Sequence, residues 1–410
     1  MISCRYSPRQ RQTPQGCEGG SACRTGHHSR GVLLWHSAPA FSLLAFLLMG
    51  GTGPVRADGE KPEDESFNVA GMDTLLCEAF SPDGKMLAVG GGPWHGPGML
   101  AVYDFPSGRR RFLTRKHRLP VWSVAFSPDS TRLAAGGGDG ENKVWSVGGR
   151  LLADFEGHRS CTFSVCFTAD GRRLITGAND NMVRVWDATT ARPQATFRFP
   201  FKDDRLEPKG FPELPRERAP LSISFENPIL QVYQVALSPD GKTIAAATEE
   251  KVVRLWEPGT GKGYRTLRTD HPEGVVHVTF SPDGKILATG GCGDEDGTVR
   301  LWDLATGRKL RTFRGHRDSL LQIVFSPDSK TLITCSTFPD STAKVWQVAT
   351  GKELATLHNR DEEYGIYKVA VSPDGKTLAT VGGPNSLMFW DLQTGKEVRP
   401  SGPGKKSAVP

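Results

Sequence analysis

One run of residues constrains this chain more than any other: 271–316, HPEGVVHVTFSPDGKILATGGCGDEDGTVRLWDLATGRKLRTFRGH. In it Val276, Val278 and Phe280 alternate with Val275, His277 and Thr279, the period of two that a strand imposes. Residues 281–284 (SPDG) then turn the chain, because proline fixes φ, aspartate accepts backbone N–H groups and glycine tolerates positive φ. A second strand is predicted over 286–290, a third over 298–302 after the loop 291–297, and a fourth over 309–313 after the turn 305–307. The unit is a four-stranded antiparallel meander with two apolar faces, which a single copy cannot bury.

Copies are present. The turn recurs from Phe80, Phe126, Phe167, Leu237, Phe280, Phe325 and Val371, at spacings of 46, 41, 70, 43, 45 and 46 residues. The third strand recurs as AVYDF, KVWSV, VRVWDA, VRLWEP, VRLWDL, AKVWQV and LMFWDL, around Tyr103, Trp145, Trp186, Trp256, Trp302, Trp346 and Trp390. On these motifs the chain resembles the WD-repeat (tryptophan-aspartate repeat) β-propellers of exported bacterial type. The resemblance implies an all-β, seven-bladed propeller of four-stranded antiparallel blades over about 71–400.

The ring so predicted absorbs most of a 410-residue chain into one domain, because each blade packs only on its neighbours. The formal charge of +6 is not a property of that ring. Residues 1–57 hold Arg5, Arg9, Arg11, Arg24, Arg30 and Arg56 against Glu18 alone, which leaves the remainder near +1. No nucleic-acid or anionic-membrane footprint is expected on the folded part. Beyond the leader lie Cys77, Cys161, Cys166, Cys292 and Cys335, whose scatter matches neither a metal motif nor a dense disulfide framework. Cys161 and Cys166 would face opposite sides of one strand, which argues against a bridge between them.

In order, residues 1–57 read as a secretory signal. Scattered arginines precede the apolar run FSLLAFLLM (41–49), and VRA (55–57) offers a small-x-small cleavage site before Asp58. The apolar run falls short of the ~20 residues that span a bilayer, so no stable membrane insertion is expected after cleavage. The region before Gly31 is long for a signal, and a start codon set too early is one cause that would lengthen it. A leader that is spurious would make the protein cytoplasmic instead of periplasmic or extracellular. Residues 58–70 form a linker with a candidate ring-closing strand at 67–69, in competition with 396–399; Pro400 tips the balance toward the N-terminal segment. Residues 201–229, with Pro208, Pro212, Pro215, Pro220 and Pro228, form an inserted arm, and 401–410 is a polar tail.

Three repeats carry a histidine, a hydroxyl, an acid and a tryptophan at similar offsets: His158, Thr176, Asp180 and Trp186; His271, Thr289, Asp296 and Trp302; His316, Thr334, Asp340 and Trp346. One such set invites a nucleophilic-triad reading. Recurrence with the repeat favours bracing, and the family resemblance implies a hydrogen-bond network inside each blade. Blade 2 keeps His117, Asp139 and Trp145 but has Ala135 for the hydroxyl. The other blades depart further: Pro228 and Glu250 in blade 4, Glu362 and Pro384 in blade 7, Gly71 and Pro97 in blade 1.

Function is expected where the repeat breaks down. The SPDG and Thr-Gly turns open on one rim and vary little. The loops 90–98 (GGGPWHGPG), 291–297, 335–341 and 381–386, with the arm, gather on the other rim. The leading reading is a non-enzymatic, monomeric scaffold that binds a protein partner there, with Trp94, His95, Phe211, Asp294, Glu295 and Phe338 as candidate contacts and no cofactor, metal or catalytic residue. The acids 294–296 suit a hard cation poorly, since Asp296 belongs to the blade network. The competing class, an enzyme or small-molecule propeller, requires unrepeated polar groups at the central channel, and read along the chain none stands out.

Overall fold

A computed structural model describes residues 67–69, 72–198, 232–248, 251–258, 265–291, 296–336, 340–360, 364–384 and 386–400, all within the compact unit 39–410. The described residues contain strands and turns with no helix, so none is long and apolar enough to cross a membrane. Among the described residues, twenty-seven strands form seven antiparallel meander sheets, six of four strands and one of three. This is the seven-bladed β-propeller.

Each blade begins at the axis. The innermost strands, Leu75–Phe80, Val121–Phe126, Thr162–Phe167, Val232–Leu237, Val275–Phe280, Leu320–Phe325 and Lys368–Val371, touch in cyclic order, and the last returns to the first. The second strands are apolar on both faces, as in the wholly buried MLAVGG of Met86–Gly91, because a neighbouring blade covers each side. The fourth strands lie at the periphery and are largely exposed, as in Lys309–Phe313, where Lys309 and Leu310 are exposed and only Phe313 is buried.

Seven apolar clusters fill the seven boundaries between blades. Between blades 5 and 6, for example, Val299 and Leu301 meet Ile323, Leu332 and Trp346. Side-chain hydrogen bonds pin the SPDG turns. In blade 1 the Ser81 hydroxyl donates to Asp83, accepts from Met86 N at 2.9 Å, and Gly84 sits at φ +70°. In blades 2 and 6, Ser130 (φ 58°) and Ser329 (φ 61°) take the glycine position. Their hydroxyls accept from Asp83 N (3.1 Å) and Asp283 N (3.2 Å) of the preceding blade, which offsets the left-handed strain.

Closure departs from the sequence expectation. Phe67–Val69 forms no strand: Phe67 N donates to Gly108 O (3.0 Å), Tyr103 Oη donates to Asn68 O (2.6 Å), and the Phe67 ring packs 4.7 Å from Phe389. The segment is a plug in the core between blades 7 and 1. The outer edge of Leu387–Asp391 is extended by the C-terminal residues, through a bridge from Trp390 to Glu397 and a bond from Val398 N to Phe389 O (2.8 Å). Pro400 lies beyond that short pairing and removes no donor from it.

Candidate functional site

The three repeated quartets come together inside their own blades. In blade 3, His158 Nδ1 lies 3.0 Å from both Asp180 oxygens and Nε2 lies 2.7 Å from Thr176 Oγ1. Trp186 Nε1 donates to the same hydroxyl at 2.8 Å, and Arg184 donates to Asp180 at 2.8 Å. Blade 5 repeats this with His271 to Asp296 (2.6 Å), His271 to Thr289 (2.9 Å) and Trp302 to Thr289 (2.9 Å). Blade 6 does so with His316 to Asp340 (2.6 Å), His316 to Thr334 (2.6 Å) and Trp346 to Thr334 (2.8 Å).

The chemistry of these sets is that of a brace. The threonine hydroxyl accepts from tryptophan, so it donates to histidine Nε2, and Nδ1 carries the proton shared with aspartate. That hydroxyl is wholly buried, and no substrate atom can reach it. Burial pushes the His158 and His271 pKa values below the ordinary value, although Asp180 and Asp296 pull the other way. Burial would raise Asp180, but the hydrogen bond and charge of His158, with Arg184, hold it below the usual carboxylate range.

Blade 2 shows what one missing hydroxyl does. With Ala135 in place of threonine, both ring nitrogens of His117 and Trp145 Nε1 lack partners, and His117 Nδ1 stands 3.9 Å from Asp139. His117, Asp139 and Glu141 do bring donor atoms within 4.8 Å of one another. The Glu141 oxygens are already held by Arg118 (2.7 Å) and Lys143 (2.8 Å), so the cluster is an ion-pair network rather than a cation cage. In blade 7 the sequence offsets point to Glu362, which lies outside the described residues together with Gly71, Pro228 and Glu250. There the buried Asn359 donates to Gly382 O (3.0 Å) and accepts from Ser386 Oγ (2.8 Å), and so ties loop to linker.

Of the six candidate contacts, Trp94 is half-buried and His95 is exposed; Phe211, Asp294, Glu295 and Phe338 lie outside the described residues. Trp94 belongs to a larger feature. Each innermost strand from blade 1 to blade 6 carries a β-bulge near its start, and in blades 2, 3 and 4 the bulged residue is aromatic: Trp122, Phe163 and Tyr233. Trp94 packs on Trp122 (5.7 Å), Trp122 meets Phe163 edge-on (5.6 Å) and Phe163 stacks toward Tyr233 (6.4 Å). Half-buried rings thus run unbroken from blade 1 to blade 4 on the face of the irregular loops. The signal in the sequence is the residue two before the alternating apolar position, which is aromatic in these repeats.

Reading the innermost strands by register reveals a second feature missed along the chain. Glu78 falls in a column filled elsewhere by Val124, Val165, Val235, Val278, Ile323 and Val369. The column beside it is mostly polar and ties successive blades: Ser123 Oγ accepts from Val165 N (3.1 Å), Ser164 Oγ donates to Val235 O (3.1 Å), and Gln322 Oε1 accepts from Val369 N (2.7 Å). His277 and Lys368 are the basic members of that second column.

Comparison with known proteins fits this architecture. The WD domain, G-beta repeat family matches residues 109–146, 149–187, 224–257, 262–303, 307–347 and 351–391, and the chain belongs to that family. Apart from 224–257, which starts outside the described residues, the matched repeats start with or just before the outer strand of the preceding blade, so consecutive repeats interlock. Over 158 residues the chain is 29% identical to "Transducin beta-like protein 3" of Bos taurus, covering 38% of this chain and 19% of that protein. Over 170 residues it is 24% identical to "WD repeat-containing protein slp1" of Schizosaccharomyces pombe, covering 41% and 34%. Over 173 residues it is 28% identical to "Periodic tryptophan protein 2" of Arabidopsis thaliana, covering 42% and 19%. The chain therefore spans about a fifth to a third of the length of these relatives. WD-repeat propellers generally act as scaffolds for protein interaction, typically without catalysis.

Proposed function

We propose that this chain is a non-enzymatic scaffold, exported after removal of residues 1–57, which docks a protein partner on the face that carries the irregular loops. The observation behind this reading is the aromatic run Trp94, Trp122, Phe163 and Tyr233, beside the exposed His95. Half-buried aromatic rings on a rigid strand framework give a partner large contact area at little loss of side-chain freedom. The opposite rim offers hydrogen-bonded turns of nearly constant sequence, such as Ser281 to Asp283 and Ser326 to Asp328.

The test places a photo-crosslinking residue at His95 and, separately, at Lys285 on the opposite rim. The reading expects a discrete adduct from position 95, lost when Trp94→Ala and Trp122→Ala are combined, and none from position 285. Adducts from position 285 alone would reverse the assignment of faces. Export is tested by N-terminal sequencing of the native protein, which should begin at Asp58; a mature chain that keeps residues 41–49 contradicts it.

A further inference from the structure

The aromatic run on the irregular face is flanked by cations. Arg115 and Lys116, both exposed, stand on the outer strand of blade 1, whose last residue His117 pairs with Gly98 at the end of the loop that carries Trp94. Arg118 follows in the link to blade 2 with its side chain 69% exposed, and Arg159, also exposed, takes the equivalent place in the link to blade 3. Each of these two arginines is fixed through its backbone, which donates to the aspartate of the blade it leads into: Arg118 N to Asp139 (3.0 Å) and Arg159 N to Asp180 (3.1 Å). The cations therefore sit on braced links.

Links and rings form one surface. A methyl added at Gly138 would meet Trp122 Nε1 and the Leu119 side chain at 3.1 Å, and one added at Gly140 would meet the carbonyl oxygens of His158 (2.7 Å) and Ser160 (2.9 Å). Glycine thus lets the blade 2 loop lie against the Trp122 indole and between the link of Arg118 and that of Arg159. Gly138 N also donates to Pro120 O (2.9 Å), and Gly138 O accepts from Cys161 Sγ (3.1 Å).

The acids of this stretch are mostly engaged. The side chains of Asp139 and Asp180 are 3% and 9% exposed and committed to those backbone bonds, and Glu141 lies between Arg118 (2.7 Å) and Lys143 (2.8 Å). Glu156 is the one acid in the links 118–120 and 156–161. Arg118 meets Glu141 through Nη2, and a guanidinium with five N–H donors has others to offer.

We propose that this face selects an acidic, extended peptide segment of its partner, whose carboxylates pair with Arg118 and Arg159 while a neighbouring apolar side chain packs against Trp122 and Phe163. The inference rests on the reading of this face as the docking face and adds the chemistry of what docks. Carboxylates match the planar fork of arginine. The ring geometry points to side chains, not bases: Trp94 and Trp122 are inclined at 58°, and Trp122 and Phe163 at 89°, so no row of parallel ring faces is offered for stacking. Glu141 and Glu156 among the arginines would also repel a continuous phosphate backbone, whereas peptide carboxylates can be spaced to miss them.

The test is selection of a random peptide library displayed on phage against the immobilised full chain, followed by fluorescence anisotropy of the most enriched peptide. Enriched peptides should carry net negative charge together with phenylalanine, leucine or tryptophan. Affinity should fall at least ~10-fold in Arg118→Gln/Arg159→Gln, and raising NaCl to about 0.3 M should weaken the parent severalfold and that variant little. Both glutamines keep the backbone bonds to Asp139 and Asp180, so an unchanged melting temperature separates lost binding from lost fold. Enrichment of neutral or basic peptides would overturn this chemistry and, if a partner still crosslinks at position 95, leave the docking face standing. No enrichment over a blank surface, unchanged affinity in the double variant, or tighter binding of single-stranded oligothymidylate would also overturn the proposal.

Discussion

Blades 2 and 3 are neighbours that carry the same histidine, aspartate and tryptophan and differ by one hydroxyl. In blade 3, Thr176 joins His158 to Trp186, and the histidine sits 3.0 Å from Asp180. In blade 2, Ala135 leaves His117 and Trp145 unconnected and His117 backed away to 3.9 Å from Asp139. The brace is therefore organised around the hydroxyl, not the charge pair that catches the eye. Blade 2 keeps the backbone bonds that blade 3 also makes to its acid: Asp139 accepts from Arg118 N (3.0 Å) and Glu141 N (3.1 Å), as Asp180 does from Arg159 N and Met182 N. It adds Glu141, which recruits Arg118 and Lys143. Packing at the two apolar boundaries of the blade does the rest.

Acidification should have the largest effect. The folded-state pKa values of His158 and His271 lie below the ordinary 6.5, so the unfolded chain binds protons that the folded chain refuses. Their stabilisation is complete above pH ~6.5 and falls as pH drops from there toward the depressed values. Asp180, Asp296 and Asp340 are also depressed, so their contribution, present above their ordinary 3.8, is lost as pH falls through the folded values. Melting temperature should decline from pH 7.5 to 5 and more steeply below 4; a flat profile contradicts the buried brace.

Asp180→Ala comes next, since it strands a buried imidazole and Arg184 together. About 2–4 kcal/mol should be lost in denaturant unfolding. Thr176→Ala makes blade 3 an imitation of blade 2 and should lose about 1–3 kcal/mol, with the Trp186 indole N–H unpaired. Smallest is the reverse change, Ala135→Thr, which should gain about 1 kcal/mol by reconnecting His117 and Trp145. A loss there would mean that the blade 2 core has closed over the space.

The propeller was legible because its signal is turn chemistry repeated seven times: Ser281, Asp283 and Gly284 and their equivalents fix where each sheet folds back. The quartets were legible because the histidine and the hydroxyl stand nine residues before and nine after the phenylalanine that opens the turn, and the acid stands six before the tryptophan. Closure was not, since 67–69 and 396–399 are both short and only packing shows which takes the edge. Phe67 fits among Tyr103, Phe105 and Phe389, and Glu397 and Val398 take the free edge. The role of Asn359 was hidden because three extra residues shift the offsets of blade 7. Glu78 and His277 are ordinary strand residues along the chain, and they stand out only when seven strands are laid side by side.

The most direct measurement is native-state hydrogen exchange on the double variant Ala135→Thr/Thr176→Ala, which moves the hydroxyl from blade 3 to blade 2. If the hydroxyl organises the brace, amide protection should rise across residues 132–146 and fall across 173–187, with blades 5 and 6 unchanged. Protection that stays with blade 3 would contradict the account and return Asp180 and His158 to consideration as a site of chemistry.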